Sequence, residues 1–490
     1  MMLRVGKNHP AAYSGAPELG SPTSLSAVYT NFYRHLPPSR LPLPSGIVDM
    51  STATVDQEKT GLGNYFIANY PPFSFWKPNY LPDAMAALDR EPTPGTPLGL
   101  YLHIPFCRKR CKFCYFRVYT DKNAKDIEVY LDALLKEVEL LSKKKCIGGR
   151  HLDYVYFGGG TPSYLSGSQL ESLMTRLKGI LPWDKAREVT FECEPGTLQQ
   201  HKLENLRRMG VTRLSLGVEN FKPEILQFNG RAHLEEEIYR AYGWARELGF
   251  DSINIDLIAG MVGETWDNWK LCVEKTLKMA PESVTIYQME LPYNTVFSKE
   301  LKMVGSDQPE LVIADWPTKR EWVEYAFAEF LKHGYDQSSA YTVVRNKEKT
   351  QFVYRDALWR GADMFGTGVA SFGHINGVHI QNVDTWEQYI EKLDKNEIPL
   401  GRAFPTTPRE RLIREMILQL KTGRLDKAYF QKKYGVDILT EFAAGYSKLE
   451  EAGWLNFTEA GVELTPKGFL QIDRHLPIFF EEQYRSARYT

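Results

Sequence analysis

Three cysteines within eight residues, Cys107, Cys111 and Cys114, constrain this chain more than any other feature. Their spacing is C-x3-C-x2-C, and thiolates are soft ligands that suit zinc or iron–sulfur centres. A closed structural zinc site takes four protein ligands, whereas three cysteines leave one coordination position open. An iron–sulfur cube with three cysteine ligands keeps one iron free for a substrate or cofactor. The spacing therefore predicts a reactive metal centre.

The residues before the cysteines place them at the end of a strand. Segment 100–104 has strand character, and Pro105 ends it. The cysteines then follow the C-terminal end of that strand, which is where parallel α/β folds hold their reactive groups.

Composition excludes several classes of protein. The net charge is −1, so the chain offers no strongly basic surface for nucleic acid, and no apolar run approaches the roughly 20 residues that span a bilayer. The first residues lack the apolar core of a secretory signal, and six cysteines in 490 residues do not form a disulfide framework. We therefore predict a cytoplasmic protein with reduced thiols, no nucleic-acid partner and no membrane span. An aromatic content of 13% also suits a site for a flat ligand.

The first hundred residues divide into two segments. Residues 1–56 are rich in Pro, Ser, Gly and Ala, which predicts a mobile or loosely docked tail. Residues 57–97 are dense in aromatic residues and proline, and we call this segment the strap. It either packs across the next domain or forms a wall of the site, and the sequence favours neither.

Residues 98–317 alternate between strand and helix patterns. Six βα units with short connections predict an α/β fold in which a parallel sheet closes into a partial (β/α)6 TIM-like barrel with a wide mouth. The predicted strands are 99–104, 153–157, 188–192, 212–216, 252–258 and 283–289. The predicted helices are 126–144, 167–180, 199–209, 222–228, 234–248 and 266–279.

The remaining chain divides in two. Residues 318–404 are predicted to extend the barrel with a helix, strands within 335–344, 352–359, 366–373 and 378–382, and a second helix. Residues 405–490, the C-terminal block, show three helices and a small hairpin, which is the pattern of a winged-helix unit. Its charges are mixed, so a structural or substrate-covering role is favoured over DNA binding.

Polar residues recur at the ends of the later strands. A glycine triplet, 158–160, follows the second strand, and glycine lets backbone approach a ligand closely. A carboxylate in a buried strand is costly unless it is bonded to a partner, so carboxylates and amides at one edge suit the hydroxyls and amine of a polar cofactor. These strand-end residues are Glu192, Glu194, Glu219, Asn220, Asn254 and Asp256.

Six motifs together resemble one family. They are YLHIPFCRKRCKFCYF, GGGTPS, FECEPGT, GVTRLSLGVENF, NGRAH and SINIDLIAGM. This set resembles the oxygen-independent coproporphyrinogen III oxidase group of radical S-adenosylmethionine (SAM) proteins, the group that also holds HemN-like and HemW-like proteins. The resemblance covers roughly residues 60–480 and includes that group's own C-terminal domain.

The resemblance implies cofactors and a reaction. The three cysteines match the ligands of a 4Fe-4S cluster, and the amino and carboxylate groups of SAM chelate the fourth iron. The cluster, reduced by a flavodoxin-like or ferredoxin-like electron donor, cleaves SAM to methionine and a 5′-deoxyadenosyl radical that removes a hydrogen atom from the substrate. The substrate that this family implies is a small molecule, a tetrapyrrole or another flat aromatic compound.

Individual positions match family residues. Tyr101 matches the tyrosine near the cluster and SAM, which we take as a catalytic and cofactor-binding residue. Gly159, Gly160 and Thr161 match the loop that meets the methionine portion. Four further residues match side chains that hold SAM, namely Glu192, Glu219, Arg231 and Asp256. Glu219 stands where the family usually has glutamine. The other cysteines, Cys146, Cys193 and Cys272, match nothing in the motif and are expected to be buried apolar residues.

Three functions within this group remain open. An oxidase would convert propionates of coproporphyrinogen III to vinyl groups, and NYPPFSFW followed by a helix and PLGLYLHIPFC resembles the segment before its cluster. Those oxidases usually have Gly and Cys after the third cysteine, where this chain has Tyr115 and Phe116. Phe there is compatible with relatives that methylate, cyclopropanate or open a flat ring and often bind a second SAM. A haem chaperone is the third, although the His-Asn pair expected before its tryptophan is replaced by Tyr354-Arg355-Asp356 before Trp359.

Overall fold

The computed structural model describes residues 59–63, 65–304 and 313–485. The predicted tail, 1–56, lies outside these residues. The strands are β1 Leu98–Ile104, β2 Tyr154–Gly159, β3 Glu188–Cys193, β4 Arg213–Glu219, β5 Ser252–Ala259, β6 Ser283–Gln288, β7 Asp336–Gln337, β8 Thr342–Val344, β9 Asp363–Thr367, β10 Phe372–Ile375, β11 Val378–Asn382, β12 Leu400–Pro405, β13 Arg424–Asp426, β14 Leu455–Phe457 and β15 Gly461–Leu464.

The α-helices alternate with these strands over the first half of the chain and dominate its end. They are α1 Leu81–Asp89, α2 Ala124–Ser142, α3 Gly167–Ile180, α4 Gln200–Arg208, α5 Pro223–Phe228, α6 Glu235–Glu247, α7 Trp266–Met279, α8 Val296–Val304, α9 Trp316–Lys332, α10 Val353–Trp359, α11 Trp386–Asp394, α12 Pro408–Leu420, α13 Lys427–Tyr434, α14 Ile438–Glu441, α15 Ala443–Glu451, α16 Pro466–Phe469 and α17 Ile472–His475.

One large sheet organises the fold. Its strand order is β12-β11-β10-β9-β1-β2-β3-β4-β5-β6-β8-β7, and β1 to β6 are parallel neighbours in chain order. This confirms the predicted α/β fold with a partial barrel of six βα units. The extension joins both edges of that barrel, because β9 pairs with β1 in parallel and β8 pairs with β6 in antiparallel.

The barrel strands present two chemically different faces. Leu214, Leu216, Ile253 and Ile255 belong to the buried core, and the helices that cover the sheet contribute to the same core. Alternate residues point the other way, into the barrel, since successive side chains of a strand face opposite sides. On β4 and β5 these inward residues are polar, namely Arg213, Ser215, Asn254 and Asp256. Apolar packing therefore builds the scaffold, while a polar lumen remains for a ligand.

The segment 352–359 was predicted as a strand, and this prediction was wrong. It forms helix α10. The carboxylate of Glu188 accepts the backbone N–H groups of Val353 (3.0 Å) and Tyr354 (3.2 Å) at the start of this helix. A carboxylate at a helix N-terminus satisfies N–H groups that have no partner inside the helix, and its charge suits the helix dipole. This contact lies 165 residues away in sequence, so the local pattern could not contain it.

The strap and the C-terminal block share a second hydrophobic core. Ile67 and Tyr70 of the strap pack with helix α12, of which Leu412, Ile413 and Met416 are core members. The block forms a winged-helix-like unit of short helices around a three-stranded antiparallel sheet, in the order β13-β15-β14. The sequence predicted only the two strands of its hairpin and missed β13, which is three residues long.

None of the described helices is long and apolar enough to cross a membrane.

Candidate functional site

A cavity of about 910 Å³ opens at the C-terminal edge of the barrel strands. Its lining includes the cysteine loop (residues 105–119), the glycine loop (158–162) and the inward residues of the strands. The strap contributes Tyr65 and Phe66, and the C-terminal block contributes residues 469–474. The strap thus both packs across the domain and forms a wall of the cavity, so the two interpretations left open by the sequence hold together.

All three cysteines of the motif line this cavity. The loop is fixed by backbone hydrogen bonds from Cys107 N–H to the Tyr119 carbonyl and from Cys114 N–H to the Cys111 carbonyl, both 3.1 Å. Thr161 of the glycine loop donates its hydroxyl to Cys107 Sγ at 3.3 Å. Burial raises the pKa of Cys107 to about 11 and that of Cys114 to about 12. Both thiols therefore keep their protons at neutral pH until a positively charged metal centre displaces them.

The donor set fits an iron–sulfur cube better than a single ion. Within the part of the chain that the structure describes, no group of three or more His, Cys, Asp or Glu is arranged to hold one metal ion. A cube binds each cysteine at a different iron, so its ligands need not converge on one point, and three thiolates on one loop beside a cavity satisfy this geometry.

Glycine is required in the loop beside the cluster motif. Gly159 has φ of +108°, and a Cβ there would lie 2.4 Å from His103 Nδ1. A Cβ on Gly160 would lie 2.8 Å from the Ile104 carbonyl oxygen. The loop can therefore pack against the end of β1 only without side chains at these positions, which keeps it directly beside the cysteines.

Three partly buried carboxyl groups, those of Glu192, Glu219 and Asp256, line the cavity. Glu192 accepts hydrogen bonds from the Tyr156 hydroxyl (2.7 Å) and from Gly159 N–H (3.2 Å). Asp256 accepts bonds from Ser215 (2.8 Å) and Asn254 (2.9 Å). Burial raises the pKa of all three carboxyl groups, and it raises those of Glu192 and Glu219 to about 7. The nearby charge of Asp256 repels the charges of the two glutamates and raises their pKa further. The site therefore suits a ligand that carries amine or hydroxyl donors, or a cationic centre.

Arg231 connects these carboxyl groups with the cysteine loop. Its Nη1 lies 3.5 Å from Cys111 Sγ and 3.6 Å from Glu219 Oε1, and its Nη2 donates to the Gly217 carbonyl. Its Nε is buried without a partner, as is Oε2 of Glu194 on the same side of the cavity. Such orphaned atoms are costly unless a bound group satisfies them. They are placed as a polar cofactor beside the cluster would require.

Tyr101 does not line the cavity. It stacks on Tyr156, with ring centroids 5.8 Å apart, and Tyr156 forms the cavity wall. The Tyr101 hydroxyl lies 3.4 Å from His103 Nδ1, and burial raises its pKa well above the usual value. Tyr101 therefore lies directly behind a residue of the cavity wall, and its contact with SAM stays a prediction.

Several lining residues were not identified from sequence. They come from the inward face of β2, β4 and β6 and from the start of α10. Strand alternation offered a signal for the three strand residues, since residues two apart share a face. No signal in the sequence identified those near α10, because that segment was assigned to a strand. These residues are Tyr156, Arg213, Tyr287, Phe352 and Tyr354.

The titration of Glu192 gives a testable pH dependence of stability. Its pKa is about 7 in the folded protein, above the ordinary value of 4.5. Below pH 4.5 the carboxyl group is protonated in both the folded and the unfolded state, so it does not reduce the free energy of unfolding. As the pH rises to 7, only the unfolded state ionises freely, and the fold loses roughly 2–3 kcal/mol. We expect Glu192→Gln, measured by urea titration without cofactors, to lose less stability than wild type between pH 5 and pH 8. Glu450→Gln, at an exposed position, serves as the control, and equal losses in both variants would contradict the assignment.

Comparison with known proteins agrees with this site. Residues 101–275 match the Radical SAM superfamily model, and residues 406–470 match the HemN C-terminal domain. The chain is 28% identical over 407 residues to an oxygen-independent coproporphyrinogen III oxidase of Escherichia coli, covering 80% of this chain and 87% of the relative. It is 30% identical over 374 residues to a heme chaperone, HemW, of Bacillus subtilis, and this match covers 76% of this chain and 96% of the relative.

A solved structure shows the same fold over most of the chain. The coproporphyrinogen III oxidase HemN from Escherichia coli, described as a radical SAM enzyme, superposes with a TM-score of 0.72 and 25% identity, covering 84% of this chain and 96% of that one. The family implies a 4Fe-4S cluster and SAM, which the cysteine loop and the polar strand ends fit. The chain therefore belongs to the radical SAM superfamily, in the group that contains the oxygen-independent coproporphyrinogen III oxidases and the heme chaperone HemW.

Proposed function

We propose that this protein is a radical SAM enzyme that oxidatively decarboxylates propionate side chains of a coproporphyrinogen III-type tetrapyrrole. The observation that carries this proposal is the cavity itself. Its volume of about 910 Å³ lies near the upper end for small-molecule sites, which suits a cofactor together with a bulky substrate. It also reaches from the cysteine loop to the C-terminal block, so substrate and cluster share one enclosure.

The lining of the cavity supports a large, anionic substrate with several aromatic rings. Aromatic side chains surround the space and can cover the faces of pyrrole rings. They are Tyr65, Phe66, Phe113, Tyr115, Phe116, Tyr156, Tyr287, Trp316, Tyr341, Phe352, Tyr354 and Phe469. Arginine side chains reach the same space from three regions of the chain and can bind carboxylates. They are Arg108, Arg110, Arg213, Arg231, Arg320 and Arg474.

The family resemblance assigns each residue a role, and the shared position of these residues around one cavity supports it. Cys107, Cys111 and Cys114 would hold the 4Fe-4S cluster, whose chemistry, when bound, is reductive cleavage of SAM to methionine and a 5′-deoxyadenosyl radical. Gly159, Gly160 and Thr161 would bind the methionine portion of SAM. Its remaining polar groups would be held by Glu192, Glu219, Arg231 and Asp256. An external flavodoxin-like or ferredoxin-like protein would supply the electron.

For each vinyl group formed, the substrate loses one hydrogen atom, one electron and one molecule of carbon dioxide. A hydrogen atom leaves the propionate β-carbon, and the resulting substrate radical gives one electron to a one-electron acceptor. The carboxylate then leaves as carbon dioxide while a carbon–carbon double bond forms, which leaves a vinyl group. The protein's contribution is to hold the β-carbon near the deoxyadenosyl group and to keep solvent from the radical.

A haem chaperone is the second candidate function. It is favoured by the 30% identity to the Bacillus subtilis heme chaperone, which the match covers almost completely. A chaperone of this kind would bind haem without turnover. The described cavity lining includes no histidine, the axial ligand of globins and peroxidases, although Met289 and several tyrosines are present.

An anaerobic assay separates these functions. The protein, reconstituted with its cluster, is incubated with SAM, a strong reductant and coproporphyrinogen III. The proposed function predicts 5′-deoxyadenosine, carbon dioxide and a vinyl-bearing product. A methylated or rearranged tetrapyrrole would instead assign the protein to the radical enzymes that carry a second SAM. Stable haem binding without any turnover would assign it to the chaperones.

A further inference from the structure

The cavity extends into the barrel as far as Arg213, the first residue of β4. Arg213 is only 2% exposed. Its Nη1 donates to Ser252 Oγ and its Nη2 to Ser283 Oγ, both at 3.0 Å. Its Nε is buried and has no hydrogen-bond partner. A cation thus lies at the floor of the cavity, and its side chain uses only two of its five N–H groups in hydrogen bonds to the described residues.

No carboxylate of the described chain neutralises Arg213 directly. Among residues 59–63, 65–304 and 313–485, no carboxylate oxygen lies within the 4.0 Å of an ion pair with it. Glu188 and Asp256 act on it only at longer range. Glu188 is already occupied, since it accepts bonds from Thr190 and from the backbone of α10. A buried guanidinium without a contacting carboxylate is unusual, because buried charges are normally paired.

The neighbours of Arg213 that the structure describes hold it in place and offer its unused N–H groups no acceptor. The ring of Phe352 lies 4.5 Å from its Cζ, a cation–π distance, and Phe352 also lines the cavity. The Ser283 hydroxyl donates its hydrogen to Asn254 Oδ1 at 2.8 Å, and its oxygen accepts the hydrogen bond from Arg213. Asn254 is bonded in turn to Ser215 and Asp256. The surrounding polar side chains are therefore bonded to one another, and three N–H groups of Arg213 have no acceptor among the described residues.

We propose that Arg213 binds one carboxylate of the substrate at the floor of the cavity. An N–H group of the guanidinium that the two serines leave free would donate to a carboxylate oxygen, and the charge would compensate the carboxylate in a place that excludes water. This inference deepens the proposed function and rests on it, because it identifies the substrate class as anionic and assigns a substrate-binding residue. The bound carboxylate would be one that anchors the ring, away from the reacting side chain beside the cysteine loop.

Binding of a non-reacting porphyrin tests this assignment without turnover. Coproporphyrin III has the same four propionates and is fluorescent, so its dissociation constant can be measured with the reconstituted protein in the absence of reductant. We expect Arg213→Gln to weaken its binding about 10- to 100-fold, since a hydrogen bond to a charged group is lost. The tetra-amide of coproporphyrin III, which has no carboxylate, should bind wild type and variant equally.

Two controls make the result specific. Arg187→Gln removes an arginine one strand away that pairs with Asp153 outside the cavity, and it should leave both dissociation constants unchanged. If Arg213→Gln does not fold, Arg213→Lys keeps the buried charge while losing the serine bonds, and a smaller but still carboxylate-selective loss is expected.

Two outcomes would overturn the assignment. Equal weakening for the acid and the amide would show that Arg213 acts only through the structure. Unchanged binding of the acid would show that Arg213 does not contact a substrate carboxylate. Because no product is measured, carboxylate-selective binding through Arg213 can be found even if the decarboxylation proposed above fails, and the two failures are distinguishable.

Discussion

Cys111→Ala is expected to abolish 5′-deoxyadenosine formation while the protein still folds. The substitution removes the middle thiolate of the loop, and the two cysteines that remain are too few ligands to hold the cube. Cys111 is only half-buried, and the scaffold core lies on the other face of the barrel strands, so the free energy of unfolding should change by about 1 kcal/mol or less. Iron content, the visible absorption of the cluster and 5′-deoxyadenosine are measured together.

Cys146→Ala is the matched control. Cys146 is fully buried, belongs to the main hydrophobic core and does not line the cavity. It should lose some stability through the small void that it leaves, yet keep full iron content and activity. If Cys111→Ala retained its iron and still produced 5′-deoxyadenosine, the cysteine loop would not be the cluster site.

Asp473→Ala is expected to cost about 3–5 kcal/mol of unfolding free energy, because it leaves a buried lysine without its counter-ion. Lys421 of the C-terminal block is 0% exposed, and its Nζ lies 2.6 Å from Asp473 Oδ1. The same carboxylate accepts the N–H of Ile67 at 2.9 Å and the hydroxyl of Tyr341. The side chain of Asp473, which lines the cavity, therefore bonds to the strap, to the barrel extension and to Lys421 of its own C-terminal block.

The exposed pair between Arg176 and Asp132 provides the control for this prediction. Its N–O distance is also 2.6 Å, but both side chains are more than half exposed. Asp132→Ala should therefore change the unfolding free energy by less than about 1 kcal/mol. Urea titration and limited proteolysis of the C-terminal block are the measurements. An equal loss of unfolding free energy in Asp473→Ala and Asp132→Ala would show that burial does not determine the contribution of the Lys421–Asp473 ion pair.

The barrel could be predicted from sequence because its signals are local. Each of the six strands and its following helix has its own apolar pattern, and parallel neighbours in chain order follow from short right-handed connections. The misassigned helix α10 depends on Glu188, which is far away in sequence. The partners of the extension strands, on both edges of the sheet, also depend on contacts between distant segments.

The candidate site was predictable where a motif fixes the chemistry. The cysteine spacing and the glycine triplet each imply a local geometry, and the structure brings both to one cavity. The placement of Tyr101 behind Tyr156 depends on side-chain packing, which no spacing encodes. The unpaired state of Arg213 likewise depends on the absence of a contacting carboxylate across several strands, which only the folded chain reveals.

Transfer of a labelled hydrogen tests the central claim most directly. Coproporphyrinogen III carrying deuterium at its propionate β-carbons is incubated anaerobically with the reconstituted protein, SAM and reductant, and 5′-deoxyadenosine is analysed by mass spectrometry. The proposed function predicts 5′-deoxyadenosine one mass unit heavier, with one deuterium transferred for each vinyl group formed. Unlabelled 5′-deoxyadenosine, or none from protein with an intact cluster, would contradict it.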